Sequence, residues 1–260
     1  MESSSVTARP APAAPEALHP ALWRAHQLGR RAERALATGF DALDAELPDG
    51  GWPARALTEL LLPQHGIGEL RLLAPALAAL ARDGRPLMWF DPPATPCGWT
   101  LQALGVEPRR LVLVRGRDAL RGRAFERLPA ADTLWALEQA LASGHVGAVL
   151  AWLPARLRAD ALRRLQLAAQ AHDGPAFVLR DADARLKPSP APLRLLLGAA
   201  GADRLAVRVL KRRGPPLARP LVLDLAPVLP PAARARAGQG RAQPLHRPQP
   251  PAPVVADSLA

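Results

Sequence analysis

The chain has 260 residues, of which 49% are hydrophobic, so it is long enough to form one α/β domain with a substantial core. Its single cysteine, Cys97, excludes an intramolecular disulfide and a cysteine metal cluster, which suits a reducing cytosol. No stretch reaches the roughly 18 consecutive apolar residues that cross a bilayer, and residues 1–17 lack the apolar centre of a signal peptide. We therefore expect a cytoplasmic protein without membrane contact.

The net charge of +11 is concentrated towards the end of the sequence. Residues 211–260 hold eight basic side chains and only two acidic ones. Such a concentration attracts a polyanion such as DNA, or an acidic protein face. The alternative is a solvated basic tail that only keeps the protein soluble.

Composition and periodicity divide the chain into three parts. Residues 1–17 are rich in Ser, Ala and Pro and are predicted to be a disordered leader, followed by an amphipathic helix over Pro20–Leu36. Residues 226–260 are rich in Pro, Ala and Arg and are predicted to be a disordered basic tail. The folded domain is expected to span residues 18–225.

Within this domain, short apolar runs alternate with helical patterns, which predicts a mostly parallel central sheet flanked by helices. The predicted strands are Leu57–Leu62, Pro86–Phe90, Leu111–Val114, Val146–Leu153 and Ala176–Arg180. The predicted helices are Glu69–Arg82, Cys97–Leu104, Thr133–Ser143 and Arg158–Ala171. Asp132 is the expected N-cap of the third helix, and Pro75 is expected to kink the first helix or delay its start. Three closing strands, partly antiparallel, are expected at Leu193–Leu197, Leu205–Leu210 and Leu221–Leu225.

The segment after the first strand has the position of a phosphate-binding loop but not its chemistry. A working loop has the form G-x-x-x-x-G-K-[ST], in which lysine neutralises phosphate charge and the hydroxyl holds Mg²⁺. Here the loop reads Pro63, Gln64, His65, Gly66, Ile67, Gly68, Glu69. The first lysine of the chain is Lys187, so no lysine is available, and Glu69 is expected to occupy the positive end of the helix dipole. The loop is predicted to be filled internally.

The surrounding landmarks resemble the ATPase core of the RecA family between Thr38 and Leu225. In that comparison the family's water-activating glutamate falls on Pro93, its adenine-stacking tyrosine on Thr100 and its magnesium-linked aspartate on Trp152. The resemblance therefore implies a RecA-like fold without catalytic residues, bound cofactor or metal. ATP hydrolysis is not expected, because phosphoryl transfer depends on positioned charge.

Among RecA-like proteins, the chain most resembles the ImuA family, which is associated with translesion DNA synthesis and related to SulA. The most specific motifs are Gly66-Ile67-Gly68-Glu69-Leu70-Arg71-Leu72-Leu73-Ala74-Pro75 and Lys211-Arg212-Arg213-Gly214. The resemblance implies a non-catalytic adaptor in damage-induced mutagenesis. Its implied partners are an ImuB-like Y-family pseudopolymerase, the alpha subunit of an error-prone polymerase and RecA itself, with any DNA contact indirect.

Two other functions remain open on the same residues. One is inhibition of cell division of the SulA type, a class that shares this fold lineage and its regulation by DNA damage. It would bind the division tubulin homologue instead of ImuB. The other is residual ATP binding in DNA repair, which nucleotide titration would reveal.

Two basic segments are candidates for binding a partner or DNA. They consist of Arg156, Arg158, Arg163 and Arg164 in and beside a helix, and Lys211, Arg212 and Arg213 at a turn. A solvated outer face is the alternative for the first segment. Neighbouring residues on a helix point about 100° apart, so Arg163 and Arg164 cannot face the same way.

Other chemistries have little support in the sequence. The six histidines have no ligand-like spacing, so a zinc site is not expected, and Cys97 shows no sign of activation. The tryptophans are interpreted as core or sheet residues; they are Trp23, Trp52, Trp89, Trp99, Trp135 and Trp152.

Overall fold

The computed structural model describes residues 35–115, 130–154, 157–215, 217 and 219–233. The predicted leader and nearly all of the predicted helix Pro20–Leu36 lie outside these residues, as does the tail from residue 234 onward. Leu36 is described, and its backbone pairs with Trp52 in an isolated antiparallel bridge.

In the described part of the chain, eight strands form one sheet in the order β3-β2-β4-β5-β1-β6-β7-β8. Strands β1 to β6 are parallel to one another, and β7 and β8 close the sheet in antiparallel fashion. The bounds are β1 Leu57–Leu62, β2 Leu87–Phe90, β3 Leu111–Val114, β4 Ala148–Trp152, β5 Ala176–Asp181, β6 Leu193–Gly201, β7 Arg204–Lys211 and β8 Leu221–Asp224. The α/β class with a mostly parallel sheet is confirmed, and so is the partly antiparallel closing set.

Helices cover both faces of the sheet. They are α1 Asp41–Asp44, α2 Glu69–Arg82, α3 Gly98–Ala103, α4 Ala130–Ala142 and α5 Ala159–Ala169. One apolar core lies between the sheet and α2, and a second lies between the sheet and the pair α4 and α5. Side chains alternate along each strand, so β1, β2, β4 and β5 contribute to both cores.

The Asp132 N-cap prediction is wrong, and one of the two effects expected of Pro75 is not found. Helix α4 begins at Ala130, so Asp132 lies in its first turn and is not its N-cap. Helix α2 begins at Glu69 and continues through Pro75, so the proline does not delay its start. Pro75 instead packs on the chain before α1, where Gly39 has a φ of 85° and a Cβ would lie 2.4 Å from the proline Cβ. This contact explains why a glycine follows Thr38.

Three charged side chains are buried in the middle of the sheet. Glu59 on β1 accepts hydrogen bonds from Arg180 on β5, at 2.7 Å, and from Arg194 on β6. Arg194 also donates to the carbonyl of Ala184 at 2.9 Å. Glu59 is 1% exposed and Arg180 is 2% exposed, so this cluster is an internal ion network that joins the three central strands.

Candidate functional site

The degenerate phosphate loop connects the carboxyl end of β1 to the start of α2. Gly68 precedes the helix in the left-handed region, with a φ of 117°. The Glu69 carboxylate turns back into the loop and accepts hydrogen bonds from two backbone amides, Gly66 N at 2.8 Å and Gly68 N at 3.1 Å. Glu69 is 3% exposed. A carboxylate of the protein therefore takes the amide hydrogen bonds that such a loop otherwise offers to phosphate.

The start of α2 also contacts the turn between β6 and β7 and Leu225, which follows β8. A Cβ on Gly68 would lie 2.5 Å from Leu225 Cδ1. Arg71 donates to Asp203 Oδ1 at 2.9 Å and to the carbonyl oxygens of Ala202 and Leu225. These contacts fix the loop against the turn between β6 and β7.

The remaining nucleotide positions hold residues without the required chemistry. Trp152, at the expected metal carboxylate, is 2% exposed and packs against Trp89 with ring centroids 5.7 Å apart. Thr100, at the expected adenine-stacking position, lines a mostly apolar pocket of about 190 Å³ together with Gly66, Gly68 and Leu104. Among the described residues, no cluster of His, Cys, Asp or Glu side chains could hold a metal ion.

We expect Glu69→Ala to lower the free energy of unfolding by about 1–3 kcal/mol, because it leaves the amides of Gly66 and Gly68 without their charged acceptor. Added inorganic phosphate should recover part of this loss, since an anion that binds only the folded state stabilises it. Chemical denaturation with and without phosphate measures both effects. Glu107→Ala is the matched control, because Glu107 pairs with Arg109 at the surface; an equal response to phosphate in the two variants would contradict the expectation.

The arginines of the first basic segment, in and beside α5, form separate contacts at the surface. Arg164 donates to Glu138 Oε2 at 2.7 Å, and Arg158 lies 3.3 Å from Asp160. Arg163 is exposed, and Arg156 lies outside the described residues. Exposed pairs of this kind contribute little to stability. Arg158 lies near the carboxyl edge of the sheet, because α5 follows the end of β4.

The second basic segment, Lys211, Arg212 and Arg213, lies at the opposite edge of the sheet. This is because β7 runs antiparallel to β6 and ends where β6 begins. Lys211 Nζ donates to the carbonyl of Ser189 at 2.9 Å. Arg212 donates to Glu46 Oε2 at 2.8 Å and to the carbonyl of Pro215 at 2.7 Å. Arg213 is exposed. The structure thus does not unite the two basic segments in one surface, and the side chain of Arg212 is committed to holding the turn.

Two tryptophans do not lie in the core as expected. Trp99 is 83% exposed on α3 and Trp135 is 63% exposed on α4, whereas Trp52, Trp89 and Trp152 are buried; Trp23 lies outside the described residues. Trp99 stands beside Cys97 and Thr100, which line the pocket next to the phosphate loop. A hydrogen bond with Thr100 lowers the pKa of the exposed Cys97 thiol. No periodicity in this short helix distinguishes the exposed tryptophan from a buried one.

His172 follows α5 and is fully buried. Burial, together with the positive charge of Arg85, lowers its pKa to about 4, against a weaker opposing effect of Asp173. Between about pH 6.5 and about pH 4, His172 is therefore protonated in the unfolded chain but neutral in the folded protein. The free energy of unfolding falls as the pH falls through this window, because protonation stabilises only the unfolded chain.

We expect this proton to remove about 2 kcal/mol of unfolding free energy between about pH 7.5 and about pH 5. Urea denaturation at the two pH values measures it, with His172→Gln as the control because other groups titrate in both proteins. An identical pH dependence of stability in the variant would contradict this assignment.

None of the helices in the described parts of the chain has the length and apolarity that crossing a membrane requires.

No protein-family model matches the sequence. Three curated relatives all carry the name "Cell division inhibitor SulA". The protein of Serratia proteamaculans is 29% identical over 136 residues, covering 52% of this chain and 74% of the relative. That of Edwardsiella piscicida is 31% identical over 121 residues, covering 46% and 65%. That of Yersinia pestis is 32% identical over 110 residues, covering 42% and 58%.

These similarities correct the expected function. The adaptor role in translesion synthesis, inferred from the resemblance to the ImuA family, is contradicted, because the relatives are named as cell division inhibitors. The relation to SulA, which was part of that resemblance, is supported at about 30% identity. The alternative drawn from the sequence thus fits the comparisons better than the main expectation.

Proposed function

We propose that this protein is a damage-induced inhibitor of cell division of the SulA type, which acts by binding the division tubulin homologue. The observation that carries the proposal is the similarity to SulA proteins of three bacterial genera over about half of the chain. Regulation by the SOS response is part of the proposal. The specific motifs also support a proposed evolutionary relationship to the ImuA family. This relationship does not include the activity of that family.

The nucleotide region supports an inhibitor that is not an enzyme. The loop has no lysine, its amides are bonded to Glu69, and Trp152 fills the place of the metal carboxylate. Each of these changes removes a charge interaction on which phosphoryl transfer depends. Inhibition by stoichiometric binding needs none of them.

The surface around α3 is the proposed docking site for the partner. Trp99 combines a large apolar area with 83% exposure, and the pocket beside it is lined mainly by apolar residues such as Pro96, Leu101 and Leu104. Tryptophan side chains next to apolar pockets are frequent centres of binding energy in protein interfaces. Trp99 is therefore the side chain that we expect to be buried in the interface with the partner.

The proposal can be tested with purified full-length protein and the division tubulin homologue in the presence of GTP. Light scattering and sedimentation should show that polymerisation is suppressed at stoichiometric amounts of this protein. Cys97 is the single cysteine of the chain and lies two residues from Trp99, so its alkylation by a maleimide should slow when the partner is bound. Unchanged polymerisation together with unchanged alkylation would contradict the proposal.

The partners expected from the translesion interpretation were ImuB, the polymerase alpha subunit and RecA. No comparison tests their binding, and these contacts stay predictions. Retention of ImuB but not of the tubulin homologue in a pull-down would favour that earlier interpretation over the one proposed here.

A further inference from the structure

A groove of about 500 Å³ opens at the amino-terminal edge of the sheet, opposite the phosphate loop and Trp99. Its walls come from four elements: Arg55 before β1, Gln166 and Gln170 near the end of α5, Pro190 and Pro192 before β6, and Arg213 after β7. These segments meet because β1 and β6 both start at this edge and β7 ends there. The groove is therefore built by the fold and involves neither the nucleotide region nor α3.

The polar groups of the groove are mostly hydrogen-bond donors. Arg55 and Arg213 are both exposed and contribute guanidinium groups. The Gln166 side-chain oxygen accepts a hydrogen bond from Leu57 N at 3.0 Å, which leaves the amide N–H groups of Gln166 as the donors for another acceptor. A site rich in donors and cations suits an anionic ligand, and guanidinium groups bind carboxylates in a bidentate manner.

The backbone at Arg55 is held in an uncommon conformation. Its φ is 58°, in the left-handed region that residues other than glycine rarely adopt. A hydrogen bond from Arg55 N to the carbonyl of His172 at 3.1 Å holds it there. Such conformations persist where the surrounding structure enforces them, and they concentrate at ligand-binding positions.

The charges around the groove favour a peptide over nucleic acid. Arg55 pairs with Asp173 Oδ1 at 3.0 Å, and this pair is exposed and therefore weak enough for an incoming carboxylate to replace. Two cationic side chains line the groove, which suits the carboxylates of a short acidic segment better than the repeated phosphates of a nucleic acid backbone. The volume of the groove lies within the range of about 300–1,000 Å³ that is usual for ligand sites in proteins.

We propose that this groove binds an acidic segment of a partner protein, with Arg55 and Arg213 pairing to its carboxylates. The inference goes beyond the proposed function and does not depend on it. It gives the protein a second interface on the edge of the sheet opposite the one that carries Trp99.

The test uses the full-length protein and a fluorescein-labelled aspartate-rich peptide, followed by fluorescence anisotropy at physiological salt. Arg55→Gln combined with Arg213→Gln should weaken peptide binding at least about tenfold, because two charge-assisted pairs are lost. Gln170→Glu, which adds a negative charge at an exposed groove position, should also weaken it. Arg208→Gln is the matched control, since Arg208 is an exposed arginine of β7 that does not line the groove.

Three results would overturn the proposal. The first is an equal loss of affinity in the Arg208 control, which would indicate general attraction by the net charge of the protein. The second is labelled DNA that binds with the same dependence on Arg55 and Arg213 as the peptide, which would identify a phosphate site. The third is no saturable peptide binding by the unmodified protein. Thermal unfolding of each variant confirms that the exposed substitutions leave the fold intact.

Discussion

Glu59→Gln is expected to lower the free energy of unfolding by about 3–5 kcal/mol, because it removes the negative charge between two buried arginines. Arg180 and Arg194 both donate to this carboxylate, and the three residues hold β5, β1 and β6 together. The glutamine retains the size of the side chain, so the loss comes from charge and not from a cavity.

Urea denaturation monitored by tryptophan fluorescence measures this change. Glu107→Gln is the control, because Glu107 interacts with arginines at the surface, where its loss should cost less than about 1 kcal/mol. A loss below about 1 kcal/mol in Glu59→Gln as well would mean that the two arginines do not depend on the carboxylate, and the ion network would not be the link between the strands.

Trp99→Ala is expected to weaken binding to the division tubulin homologue by about 2–4 kcal/mol, which corresponds to about 30- to 1,000-fold in Kd. The side chain is 83% exposed, so its truncation removes contact area with a partner while leaving the core unchanged. Stability should therefore change by less than about 0.5 kcal/mol. Surface plasmon resonance with immobilised partner measures the affinity.

Trp135→Ala is the matched control for this prediction, since Trp135 is also exposed but lies on α4. It should change the affinity by less than about twofold, in the range of interface-neutral positions. Equal losses in the two variants, or full affinity in Trp99→Ala, would exclude the surface around α3 as the docking site.

The fold was predictable because its signals are local. The apolar run Leu57–Leu62 and the helical pattern Glu69–Arg82 match the observed bounds of β1 and α2. The position of Glu69 in the first turn of α2 also followed from the predicted start of this helix. Boundaries without a strong stop signal were less accurate, and α4 starts earlier than the Asp132 N-cap predicted.

Features that depend on distant parts of the chain were not found. The ion network joins residues that are 121 and 135 positions apart, and its available signal was a charged residue within each of three mostly apolar strands. The groove at the amino-terminal edge depends on four separate segments that only the strand order brings together. The exposure of Trp99 could not be derived either, because composition favours burial of tryptophan and one six-residue helix carries too little periodicity to oppose it.

Because the Glu69 carboxylate accepts the amide hydrogen bonds of the phosphate loop, we expect the protein to act through its surfaces and without nucleotide. Isothermal titration calorimetry of the full-length protein with ATP and Mg²⁺ measures whether nucleotide binds. We expect no saturable heat of binding. Stoichiometric binding of ATP in the micromolar range that depends on Mg²⁺ would contradict this expectation.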